Sequence, residues 1–161
     1  SASCWRLGRL YIRLSGYAET VQQARLALGG ELLPDERLWY ELREHESDFF
    51  TQNHGHNLWR IVLPPDSVGL DLPGKTLYEW GGQLQWLVTE VAPGQVHQAA
   101  LARGAYATLY RRLDKTAQVF PPPAKALWRV QRALQQVFDP HRVFNRGRVF
   151  DDMHELERQP D

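Results

Sequence analysis

Arg60 stands in the run Leu58-Trp59-Arg60-Ile61-Val62-Leu63, a permanent cation flanked on both sides by apolar strand formers. An arginine so placed offers a planar fork of donors to an anionic group such as a carboxylate. Its plainer reading is a strand arginine turned to water. Trp80 and Trp86 flank Gly81-Gly82 and have the size and shape to wall a small organic site, although aromatic residues in strands more often serve the core. Near the other end, Asn145, Arg146 and Arg148 surround Gly147 and present polar groups outward from a turn. None of these groups is a catalyst by itself, and no catalytic residue is expected in this chain alone. Cys4 lies near a terminus expected to be mobile, with no activating motif, and no Ser-His-Asp or Cys-His arrangement can be assembled. His54 and His56 supply at most half of a tetrahedral metal site, so no metal is expected there. His45, His97 and His141 read as polar surface, and Glu41, Glu44, Glu46 and Asp48 as a wet helix face.

The elements that must position these residues follow from periodicity and punctuation. Leu10, Ile12 and Leu14 alternate with Arg9, Tyr11 and Arg13, which predicts one strand from Trp5 to Ser15 with the leucine side buried. Ala18 to Leu28 predicts a helix stopped by Gly29-Gly30, and Glu31 to Leu33 a short strand. Pro34-Asp35-Glu36 opens a helix whose apolar side carries Leu38 and Leu42 and extends to Phe49. Leu58 to Leu63 is a strand stopped by Pro64-Pro65. Leu77 to Trp80 and Leu84 to Val88 form a hairpin across Gly81-Gly82. A short helix follows Pro93-Gly94, then a strand from Tyr106 to Tyr110. Ala124 to Val137 is a long helix with Leu127, Val130, Leu134, Val137 and Phe138 in one apolar stripe, ended by Pro140. This order predicts an α+β fold, a ferredoxin-like antiparallel sheet with helices packed on one face. Residues 1–150 are expected to form the domain and 151–161 a charged tail that frays.

The chain has 161 residues, 43% of them hydrophobic and 24% charged, which suits one domain with a real core. Nineteen basic and nineteen acidic residues cancel, leaving no global field to recruit nucleic acid, and no nucleic-acid partner is expected. A single cysteine excludes an internal disulfide and fits a reducing compartment, so a cytoplasmic location is expected. No run reaches the roughly 18 to 20 apolar residues of a membrane-spanning helix. The chain opens Ser1-Ala2-Ser3-Cys4 and its one methionine is Met153, so the start reads as a boundary cut into a longer chain.

The segment Phe138-Asp139-Pro140, followed by Phe144-Asn145-Arg146-Gly147-Arg148, resembles the closing segment of FAD-linked oxidases of the vanillyl-alcohol-oxidase type. Arg146 departs from that pattern, which has proline there. Three further stretches resemble one branch, the FAD-binding subunits of bacterial glycolate oxidases: Trp59 to Pro65, Glu79 to Leu87 with its Trp-Gly-Gly hairpin, and Arg103 to Arg111.

The resemblance implies a C-terminal cap domain, cut from its FAD-binding domain, in a complex that oxidises a 2-hydroxy acid, glycolate to glyoxylate, with FAD as electron acceptor. It implies that Asn145 and Arg148 reach the flavin or its domain, and that Arg60, Trp80, Trp86 and Tyr106 face the substrate. Tyr106 stands where relatives of the branch often carry histidine. The implied partners are the FAD-binding domain of the same protein and other glycolate oxidase subunits, one of them an iron-sulfur subunit, with peripheral association at the inner membrane through those subunits. No glycine-rich dinucleotide fingerprint follows a strand here, so FAD is expected to be held mainly by the missing domain. A cap without that domain is expected to dimerise through the apolar face left bare. A second reading remains open: a ferredoxin-like module that binds a protein or small ligand without redox activity.

Overall fold

The computed structural model describes residues 2–141 and 143–144. The chain divides into two compact units, the first ending at Val119 and the second starting at Phe120. The first unit is built on a six-stranded sheet in the order β2-β1-β4-β5-β3-β6, with every neighbouring pair antiparallel. Its strands are β1 (Ala2–Arg6), β2 (Arg9–Arg13), β3 (Leu58–Val62), β4 (Lys75–Glu79), β5 (Leu84–Val88) and β6 (Tyr106–Arg111). Helices α1 (Ala18–Leu28), α2 (Arg37–Arg43), α3 (Asp48–Thr51) and α4 (Pro93–Ala102) complete it.

Strand β5 explains the layering. All five of its residues are buried, because apolar side chains occur at both alternations. Two covers are therefore needed. On one face Trp59, Ile61, Leu87, Ala107 and Leu109 pack with Val96 and Ala100 of α4 and with Leu63 and Leu70. On the other, Leu58, Leu77, Leu84, Trp86 and Val88 pack with Cys4, Leu42 of α2 and Phe50 of α3. The expectation of helices on one face is thus corrected.

The connection from β3 to β4, residues 63–74, contains no helix. It is fastened instead by side chains of the layer beneath. The fully buried Gln85 accepts from the Leu70 amide at 2.8 Å and donates to the Leu70 carbonyl at 3.1 Å. Arg103 donates to the Gly69 carbonyl at 2.9 Å, and Thr89 to the Pro73 carbonyl at 2.6 Å. The loop lies so close that a Cβ on Gly69 would meet the Tyr78 hydroxyl, and one on Gly74, at φ +149°, the Val88 carbonyl.

The first strand is a second correction. Leu7 and Gly8 both take positive φ, 49° and 74°, and make the two-residue turn of a hairpin. That register pairs Cys4 with Tyr11 on the core side, leaving Leu10 and Ile12 exposed. Residues 31–33 form no strand. Cys4 is buried in β1, not on a mobile end. His97 is also buried: its Nε2 lies 3.3 Å from the Gln118 carbonyl, its ring is edge-on to Trp59, and its Nδ1 is buried without a hydrogen-bond partner.

In the second unit α5 (Lys125–Phe138) runs as the sequence indicates, and Leu127, Val130, Leu134, Val137 and Phe138 on its apolar stripe are exposed. Asp139 ends it, its carboxylate accepting from the amides of Val143 at 2.8 Å and Phe144 at 3.0 Å. Among the described residues no helix is long and apolar enough to cross a membrane.

Two outcomes follow from this packing. Gln85→Ala orphans both polar groups of Leu70, and at ~1–3 kcal/mol for each buried group left unpaired it should lower stability by at least about 2 kcal/mol. A urea midpoint equal to that of the parent would refute the clamp. Burial holds the His97 imidazole below its ordinary value of 6.5, more than the Gln118 bond raises it. The unfolded chain then takes up a proton near that value which the folded chain refuses, so stability should fall as pH drops below about 6.5 toward the lowered folded value. His97→Gln should reduce that slope, measured from urea midpoints between pH 5 and 8.

Candidate functional site

The site is assembled on the sheet face opposite α4. Arg60 and Val62 of β3 alternate with the buried Trp59 and Ile61, which puts them on this side. Arg60 is paired across β5 with Trp86 and across β6 with Thr108, and Val62 is paired with Tyr106. All four residues expected to face a substrate, Arg60, Trp80, Trp86 and Tyr106, are therefore gathered at this face and its rim. Helices α2 and α3 cover only part of it.

Trp80 sits at the start of the turn joining β4 to β5 with φ 55°, followed by Gly81 at 65° and Gly82 at 93°. A tryptophan in the left-handed region is uncommon and costs of order 1–2 kcal/mol. The residue is 56% exposed, and the Arg60 guanidinium lies over its ring, 5.0 Å from the ring centroid. The cation is thereby oriented at the rim while its donors remain available. Half-exposed Tyr106 adds a phenol at the start of β6, held above its ordinary pKa of 10.0 by burial and therefore a donor at neutral pH.

Trp86 is placed differently from the accessible wall that the sequence suggests. It is buried, and its indole nitrogen donates to Glu79 Oε2 at 2.7 Å. It forms the floor between the open and the covered parts of the face. The Glu79 carboxylate also bears on Cys4, its partner across β1 and β4. Burial first and that negative charge second push the thiol up to about 12. Cys4 is therefore a packing residue, not a nucleophile.

The sequence reading misses His45. Taken there for a surface residue on a helix, it lies just past the end of α2 with φ 57°. The amide of His45 donates to the Leu42 carbonyl and that of Glu46 to the Glu41 carbonyl, the paired pattern that normally places glycine at this position. The ring is held by aromatic contacts: Phe50 stacks at 4.2 Å, Trp86 meets it edge-on at 4.9 Å and Tyr110 at 5.3 Å. Burial, and secondarily the positive charge of Arg111, lower its pKa from 6.5 against a weaker opposing pull from Glu44. No hydrogen bond to either ring nitrogen occurs among the described residues.

An irregularity in β6 completes the cluster. The pairing with β3 shifts between Leu58 and Trp59, so that Tyr110 and Arg111 occupy the bulge together. Tyr110 meets the Trp86 ring at 5.1 Å, while Arg111 donates to the Asn53 carbonyl at 2.7 Å and the Phe50 carbonyl at 3.3 Å. Arg111 is thus engaged by α3 and the turn after it, whereas Arg60 makes no side-chain hydrogen bond among the described residues.

Asn145 and Arg148 lie outside the described residues. His54 and His56 diverge, His54 toward Arg111 at 3.3 Å and His56 toward Glu90 at 3.8 Å. Among the described residues no group of three or more histidine, cysteine, aspartate or glutamate side chains could hold a metal ion. For a dinucleotide the described glycines give no phosphate cradle: Gly29 and Gly30 end α1, and Gly81 and Gly82 join two strands. The described residues do not fit the grip of FAD. What they offer is an aromatic and cationic surface for a small anion.

The chain is 38% identical over 153 residues to glycolate oxidase subunit GlcE of Escherichia coli (strain K12). That alignment takes in 95% of this chain and 42% of the relative, so the chain spans less than half of the protein it matches. The likeness to the glycolate oxidase branch read from the hairpin and the terminal motif is borne out. No protein-family model matches the chain, and no solved structure does.

The packing of Cys4 gives a direct check. The native chain should react with Ellman's reagent at pH 8 at least about a hundredfold more slowly than the urea-unfolded chain, since a thiol held near 12 is almost wholly protonated there. Equal rates would mean that β1 does not turn Cys4 into the core.

Proposed function

We propose that this chain is the C-terminal cap part of a glycolate oxidase FAD-linked subunit, with residues 1–150 closing over a flavin held by a domain outside this sequence. The observation that carries the reading is the 38% identity to glycolate oxidase subunit GlcE across 95% of the chain. The strand order supports it further. Read from the β6 edge as β6-β3-β5-β4, four consecutive strands follow the antiparallel order of a ferredoxin-like core, with the fastened loop 63–74 standing where the first helix would be.

In this reading the open face receives a small 2-hydroxy acid. Arg60 takes its carboxylate, Trp80 lines the rim above a floor formed by the buried Trp86, and Tyr106 donates to an oxygen of the substrate. Asn145 and Arg148 reach the flavin or its domain. The flavin, when bound, supplies the acceptor for the electrons of the alcohol. This chain's residues bind and orient the substrate and exclude water. Other glycolate oxidase subunits, including one carrying an iron-sulfur cluster, accept the electrons onward. The assembly works in the cytoplasm, peripheral to the inner membrane, and the cap alone forms dimers through its bare apolar face.

The test compares the natural-length polypeptide with the 161-residue chain. The longer polypeptide should be yellow with bound FAD and bleach on anaerobic addition of glycolate, while the shorter chain stays colourless. Arg60→Ala should raise the glycolate concentration for half-maximal bleaching roughly tenfold or more, in line with ~1.5–3 kcal/mol for a hydrogen bond to a charged group. A colourless longer polypeptide would overturn the flavoprotein reading and favour a binding module without redox activity.

A further inference from the structure

Among the groups on the open face, His45 is unusual in three independent respects. Its backbone takes a left-handed conformation that glycine would adopt at less cost. Its ring is fixed between Phe50, Trp86 and Tyr110. Its two nitrogens, in a half-buried ring, make no hydrogen bond among the described residues. Packing accounts for the ring but not for the nitrogens. A phenylalanine would fill the same aromatic niche without carrying polar atoms into it.

The surroundings define what those nitrogens can do. The cation facing the ring comes from β6, where Arg111 lies in the bulge, and the carboxylate of Glu44 lies on the helix side. Tyr110, also from β6, contributes a phenol. Arg60 stands on the strand between β5 and β6, opposite Trp86, whose indole His45 touches. Arg60 can only donate, and the phenols of Tyr106 and Tyr110 can donate or accept, so a neutral imidazole adds to this aromatic face an unprotonated nitrogen that only accepts.

We infer that His45 is a specificity-determining residue of the site, its neutral imidazole accepting a hydrogen bond from the hydroxyl of a small hydroxy acid whose carboxylate meets Arg60 at the open rim. The inference rests on the substrate reading above and deepens it, separating a hydroxy acid from the carboxylic acid that lacks the hydroxyl. The direction of the His45 pKa agrees, because the lowered value keeps the ring neutral and accepting through the physiological range. Protonation turns both nitrogens into donors. The preference for a hydroxy acid is then lost even though a cationic ring still attracts a carboxylate.

The test uses sodium glycolate and sodium acetate as probes, titrated against the 161-residue chain by tryptophan fluorescence. Glycolate should bind roughly three- to tenfold more tightly than acetate at pH 7.5, the span of one net hydrogen bond. His45→Phe, which keeps the ring and removes the nitrogens, should bring the ratio to about one. As a measurement on the parent chain, the His45 ring carbon-bound proton resonances should shift with glycolate and not with acetate. An unchanged ratio in His45→Phe, absent resonance shifts, or no binding of either probe would each overturn the assignment. Bleaching of the natural-length polypeptide by glycolate, with any of those outcomes, would leave the flavoprotein reading standing. Failure of the longer polypeptide to bind flavin would instead remove the premise.

Discussion

The paired hydrogen bonds between Gln85 and Leu70 hold the first unit to its particular architecture. A primary amide matches a peptide group donor for acceptor, so one side chain satisfies both polar groups of a buried loop residue. Without that match the stretch 63–74 would carry unpaired backbone into an apolar layer, which loops ordinarily avoid by staying on the surface. Because the match exists, twelve residues without a helix can roof the sheet beside α4. Leu70 itself enters the core with Trp59, Leu87 and Ala107. Gly69 and Gly74 are the steric counterpart, two positions where a Cβ would collide with Tyr78 or with the Val88 carbonyl.

The opposite face is organised by what is not covered. Helices α2 and α3 bring Leu42 and Phe50 onto Trp86, Leu58 and Val88 and stop short of Arg60 and Tyr106. The stop is set by the His45 turn, which reverses the chain between the two helices, and by Arg111, which ties the carbonyls of Phe50 and Asn53 to β6. Two departures from regular structure, a left-handed histidine and a strand bulge, thus meet at one aromatic cluster. Strain of this kind is sustained only where the neighbours over-determine the conformation, and three ring contacts on His45 do so.

Much of this was legible from periodicity and punctuation. Proline and glycine marked the ends of α1, α4 and α5, and the Gly81-Gly82 hairpin joined the strands named for it. The alternation that placed Arg60 between apolar neighbours put it on the right face. What escaped were properties fixed by long-range pairing. The run from Trp5 to Ser15 looked like one strand, since nothing local distinguishes a Leu7-Gly8 turn from a glycine passed over in an alternating stretch. The buried side of that stretch was then assigned by apolar count, whereas hairpin register gave it to Tyr11. Likewise β5 carried its own contradiction: Leu87 in the polar alternation and a glutamine at its centre meant burial on both faces. His45 left no sequence signal, because glutamates on either side read as a wet helix end.

The distribution of reactive groups follows from the same layering. The one thiol lies in the core beside a carboxylate and is chemically silent, while His97 spends its Nε2 on the Gln118 carbonyl and faces Trp59. Arg111 is consumed by backbone carbonyls. On the sheet face opposite α4, Arg60, Tyr106, Tyr110 and His45 keep side-chain polar atoms that make no hydrogen bond among the described residues. This part of the face brings a half-buried cation, two phenols and one imidazole round an indole floor. The layering thus decides which of these side chains the fold uses up in packing and which it leaves available.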